Sequence, residues 1–89
     1  MRIVWTEYIK YRLGLRGYDP VVIEEVLRYS SERYEDTMTD RMIAVGRHDN
    51  AFVMVPYEIR GNEIIPVTVH AIDRKQIAAR LRSGRLKSV

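Results

Sequence analysis

Eighty-nine residues without a cysteine suffice for one domain with a small core, and they exclude disulfides, zinc–thiolate centres and thiol nucleophiles. The net charge of +3 is segregated along the chain: residues 1–18 sum to +3, residues 19–40 to −5, residues 41–72 to zero and residues 73–89 to +5. Such segregation builds either a basic face for nucleic acid opposite an acidic one, or two ends that pair with the middle of the folded monomer. The N-terminus enters ordered pattern at once, without the apolar stretch of a signal peptide, and the longest apolar run is far short of a membrane span. A soluble, cytoplasmic protein without membrane contact is expected.

Ile3, Val4 and Trp5 read as a short first strand. Thr6 suits the N-cap of a helix running to about Arg16, and Gly17 suits the position just past its end. This helix carries two apolar stripes, Tyr8–Tyr11–Leu15 and Ile9–Leu13, with Arg12 and Arg16 projecting between them, so it calls for two neighbours. Asp19 caps a second helix, Pro20 takes its first turn, and Val22, Ile23, Val26 and Leu27 form its apolar face.

From Arg33 the period changes to that of strands, expected at 33–37, 41–48, 51–59 and 63–70, with short turns that favour an antiparallel meander. Ala51, Val53, Val55, Tyr57 and Ile59 share one face, and Ile65, Val67 and Val69 share another. Pro56 and Pro66 each remove a ladder donor, so each needs an edge, a bulge or a break. A bulge at Pro66 would re-aim the residues after it, His70 included. Asp73 and Gln76 then form a capping-box pattern, with Ile72 and Ile77 as a hydrophobic staple. The third helix is expected to bury Ile77, Ala78 and Leu81, with Arg74 in the same arc. Residues 1–83 therefore read as a single α+β domain: N-terminal helices packed on a twisted antiparallel sheet of about four strands, with a C-terminal helix. Residues 84–89 read as a flexible basic tail.

A histidine at a strand end, followed within three residues by an arginine-bearing helix, is the place where a phosphate-handling site can be built. Cleaving RNA without metal needs proton transfer near the 2′-oxygen and the leaving oxygen, and donors for the phosphorane. His70 is the candidate proton-transfer residue, against the simpler reading of a strand-end histidine bonded to backbone. Arg74, Arg80 and Arg12 are the candidate phosphate donors, with a structural ion pair as the other reading of Arg74. Lys75, Arg82, Arg85 and Lys87 supply diffuse attraction to nucleic acid. His48 reads as a turn residue and Tyr57 as core. No cofactor or metal is expected: two histidines 22 positions apart offer no ligand spacing.

Several segments together resemble a known family. They are Ile3-Val4-Trp5-Thr6 before a helix ending at Arg16-Gly17, the Asp/Pro-started helix through Val22–Leu27, Arg41-x-Ile-Ala-Val-Gly, and Val67-Thr-Val-His70 before a basic helix. Over about residues 3–83, they resemble the DUF4258 family and, more distantly, BrnT-type toxins of type II toxin–antitoxin systems. That resemblance implies a RelE/ParE-like fold and a toxin-like ribonuclease that cleaves RNA without metal. It also implies RNA and a small antitoxin-like protein, which neutralises the enzyme, as partners. The chain departs from the BrnT pattern, Arg-x-Ala-x-x-x-Glu after the last strand, where it has His70, Ile72 and Gln76. Tyr8 stands where DUF4258 members often have histidine. These departures keep open the alternative of a non-catalytic nucleic-acid- or protein-binding module. Leu86 and Val89 of the tail could dock on a partner or a second copy, so weak homodimerisation is also expected.

Overall fold

A computed structural model describes residues 1–89. The chain runs β1 (Arg2–Ile3), α1 (Glu7–Arg16), α2 (Pro20–Tyr29), β2 (Glu32–Asp36), β3 (Arg41–His48), β4 (Ala51–Arg60), β5 (Glu63–Pro66), β6 (His70–Ile72), α3 (Arg74–Arg82) and β7 (Leu86–Ser88). The helix starts follow their local chemistry. Thr6 Oγ1 accepts from the Ile9 N–H at 3.2 Å and Asp19 Oδ1 from the Val21 N–H at 2.9 Å. Asp73 and Gln76 close a reciprocal capping box, with bonds of 2.8 and 2.9 Å. Gly17 ends α1 at φ 72°, a left-handed conformation that glycine adopts without strain.

The expected four-stranded antiparallel sheet is corrected to a seven-stranded mixed one, ordered β1-β5-β4-β3-β2-β7, with β6 also paired to β4. Three causes account for the difference. First, β1 joins β5 in parallel, Ile3 opposite Ile64, which sends Ile3 into the core. Second, the strand expected at 63–70 splits in two. Tyr57 faces Pro66 and Met54 faces His70, so the three residues Val67 to Val69 oppose only Val55 and Pro56. The Val67 N–H donates to the Pro56 carbonyl at 2.8 Å, but Pro56 has no N–H to return, and the ladder breaks there. The bulge therefore stems from Pro56, whereas the donor Pro66 lacks would point away from β4, beyond the end of β1. The extra residue reverses facing: Ile64, Pro66 and Val69 turn to the core, in place of the expected Ile65–Val67–Val69 set.

Third, the expected flexible tail is an edge strand. β7 pairs antiparallel with β2, Leu86 opposite Asp36 and Lys87 opposite Glu35. Leu86 is 2% exposed. Arg85 grips Asp36 through two bonds of 2.8 and 3.1 Å, and the Thr37 N–H donates to the Arg85 carbonyl. The acidic middle thus receives the basic C-terminus of its own chain, and of the two side chains expected to dock on a partner Leu86 is already buried while Val89 is exposed.

The sheet is covered on both faces. Ile9 and Leu13 of α1 and Ile23, Val26 and Leu27 of α2 pack on Ala44, Val53, Val55 and Tyr57. On the opposite face Ile77 of α3 packs with Tyr34, Ile43, Val45, Met54, Ile72 and Leu86. Leu81, expected in that core, is exposed, because the short α3 turns Ile77 and Arg80 toward the sheet instead. The end of α2 is secured by Arg33, which donates to the carbonyls of Leu27 and Ser30 at 2.6 and 3.0 Å and to the Tyr57 hydroxyl at 2.9 Å. His48 ties β3 to the helix hairpin. Its Nε2 accepts from the Asp19 N–H at 2.9 Å, and its ring meets that of Tyr18 edge-on.

Gly46 leaves no room under α2, since an added Cβ would lie 2.6 Å from Val26 Cγ2. Gly46→Ala is expected to cost about 1–3 kcal/mol through this overlap, read as a lowered urea midpoint. An unchanged midpoint would show that α2 is free to shift.

Candidate functional site: an arginine-lined cleft around His70

The bulge and α3 together form a cleft of about 380 Å³ on the α3 face of the sheet. His70 and Thr68 enter it from the bulged segment, Arg80 from α3, Arg41 from the start of β3, and Arg85 from the approach to β7. Without the extra residue, His70 would oppose Val53 and face α1 and α2. With it, His70 opposes Met54 and faces the cleft.

The arginines are not equivalent. Arg41 is paired with Glu58 and Arg85 with Asp36. Arg80 has no carboxylate partner, its one side-chain hydrogen bond going to the Met54 sulfur at 3.3 Å. It is the uncommitted donor of the site. Thr68 also lines the cleft, but its Oγ1 is buried and closed to solvent, without a hydrogen-bond partner.

Burial lowers the His70 pKa below the usual 6.5, and the positive charges of Arg12, Arg16 and Arg80 lower it further. The imidazole is therefore neutral at pH 7 and able to take a proton. α1 and α3 pack on opposite faces of the sheet, so His70 feels arginines from both layers. Asp36 is the reverse case: its bonds from Arg85 outweigh burial and hold its pKa down to about 2. It stays ionised and cannot serve as an acid.

Because the folded pKa of Asp36 lies below its unfolded value of 3.8, its contribution is present above pH 3.8 and lost as pH falls through about 2. Solvent screens the more open Arg85 end, which makes about 2 kcal/mol the ceiling. Urea midpoints between about pH 5 and about pH 2 should therefore fall more steeply for the native chain than for Asp36→Asn. Parallel pH dependences would refute the assignment.

Of the residues expected to form a site, His70, Arg80 and Arg85 line the cleft, and Arg12 acts on His70 by its charge. Arg74 lies elsewhere, ion-paired to Glu32 and stacked over Phe52 at 4.2 Å. Lys75, Arg82 and Lys87 are exposed, outside the cleft and without ion pairs. Sequence reasoning missed Arg41 and Thr68. No local signal marks Thr68, because the bulge that places it stems from Pro56 on the neighbouring strand. No group of three His, Cys, Asp or Glu side chains comes together in the chain, and no helix is long and apolar enough to cross a membrane. Comparison with protein-family models, curated proteins and solved structures gives no match to this chain.

Proposed function

We propose that the cleft binds RNA and cleaves it without a metal ion, in a toxin-like protein neutralised by a small partner. The observation that carries this reading is the convergence of a neutral imidazole and an arginine without a carboxylate partner in one cleft. His70 takes the proton of the attacking 2′-hydroxyl. The 2′-oxygen forms its bond to phosphorus, the bond to the 5′-oxygen breaks, and that oxygen leaves as a hydroxyl with a proton from water. The products are a 2′,3′-cyclic phosphate and a free 5′-hydroxyl end. Arg80, supported by Arg41 and Arg85, donates to the non-bridging oxygens as charge builds on them. The likeness to DUF4258 and BrnT-type proteins supports the reading through its residue pattern and supplies the idea of an antitoxin-like partner. The test is metal-free incubation of purified protein with RNA in chelator and analysis of the ends. Cyclic phosphate supports the reading, and intact RNA rejects it.

One observation favours a second reading, an RNA-binding module without catalysis. The cleft holds a single histidine, and its carboxylate, Asp36, is locked in the charged form, so no side chain there is poised to protonate the leaving oxygen. Salt-sensitive binding without cleavage is its expected signature.

A further inference from the structure

Of the two apolar stripes on α1, the fold uses one. Ile9 and Leu13 are buried, whereas Tyr8, Tyr11 and Leu15 are 58%, 65% and 65% exposed. The helix repeat sets Tyr8, Tyr11 and Leu15 along one outer face, with Arg12 and Arg16 on the line between that face and the sheet. Lys10 is paired with Glu7, but Arg12 and Arg16 have no carboxylate, and Arg12 Nε is buried without an acceptor. An apolar aromatic face edged by uncompensated arginines calls for an anionic occupant with flat apolar surfaces. A protein helix would meet the tyrosines but leave both guanidinium groups unanswered unless it were acidic along that edge.

We propose that the outer face of α1 is a stacking platform for single-stranded nucleic acid. Bases lie on Tyr8 and Tyr11, while phosphates follow Arg12 and Arg16 toward the cleft at His70. The proposal rests on the reading of that cleft as an RNA site and deepens it: the substrate is an unpaired polynucleotide that extends well beyond the reacting phosphate. Both tyrosines offer π-faces that any base can use, so little sequence preference is expected. A duplex hides its bases and would meet only the arginines.

The full chain is titrated with a single-stranded oligodeoxynucleotide of roughly ten nucleotides carrying 2-aminopurine. This probe has no 2′-hydroxyl, so binding is read apart from cleavage. Quenching of the aminopurine is expected, with affinity falling about tenfold for each of Tyr8→Ala and Tyr11→Ala. Tyr29→Ala, at an equally open site on α2 (77% exposed), should bind as the native chain does. Arg12→Gln and Arg16→Gln should each flatten the dependence of log affinity on log salt by about 0.7. Native affinity in the Tyr8/Tyr11 double variant overturns the proposal. So does equal binding of a duplex, or self-association in sedimentation that the double variant abolishes, which would make the face a protein interface. Tyrosine-dependent binding without RNA cleavage sinks the ribonuclease reading alone, and cleavage with tyrosine-independent binding sinks this one alone.

Discussion

His70→Gln is expected to lower RNA cleavage by about two orders of magnitude or more, the usual contribution of a positioned proton acceptor, with the circular dichroism spectrum unchanged. Glutamine keeps a polar side chain of similar reach in the half-buried position but cannot take the proton of the 2′-hydroxyl. The pH profile gives a second readout. Activity requires the neutral imidazole, so it should fall on the acid side with a midpoint below 6.5. Arg80→Met removes one of the charges that depress this group and should move the midpoint upward, besides lowering the rate. Full cleavage by His70→Gln would place the chemistry elsewhere or reveal a contaminating nuclease. An acid limb that Arg80→Met leaves in place would disconnect the limb from His70.

Deleting residues 84–89 is expected to destabilise the domain by about 3 kcal/mol or more. The deletion removes Leu86, a buried member of the second core, and strands the Asp36 carboxylate without its arginine. It also bares the edge of β2, whose unpaired backbone then invites association with other chains. Chemical denaturation followed by far-ultraviolet circular dichroism reads the first effect and sedimentation the second. A shortened chain that unfolds at the native midpoint would show the last strand to be an ornament of the edge. Leu86→Ala separates the causes: it keeps the ion pair and the backbone pairing, so it should account for only the core share of the loss.

What was legible in the sequence rested on local chemistry. The three helix starts follow from Thr6, Asp19-Pro20 and the Asp73/Gln76 pair, because caps are satisfied by residues two or three positions away. The strands at 41–48 and 51–59 were legible from alternation, which reports a sheet with two different faces. Proximity in the chain pairs His70 first with Arg74, whereas the cleft brings Arg80 to it and Arg74 lies on Glu32 and Phe52. The Tyr8–Tyr11–Leu15 stripe is equally visible, and its spacing predicts a second covered face where the structure leaves it exposed. Periodicity reports which residues share a side of a helix and not whether anything covers them.

The tertiary structure decided the rest. A tail with one leucine and two cations has no propensity of its own to become a strand. It is ordered by a hydrophobic slot under Leu86, lined by residues from Tyr34 to Ile77, and by the Asp36 carboxylate some fifty positions earlier. The parallel pairing of Ile3 with Ile64 spans most of the chain and leaves no local mark. The assignment of arginines to roles was also non-local. Arg74 and Arg80 are alike in sequence, yet Glu32 and Phe52 claim the first while the second faces the cleft unpaired. The sequence by itself determined the helix caps and the alternating strands, since each depends on neighbours along the chain. Which face His70 points to, which cations remain free and where the last strand goes were decided only by pairing across the sheet. There, a single unmatched residue opposite Pro56 reverses the facing of everything that follows.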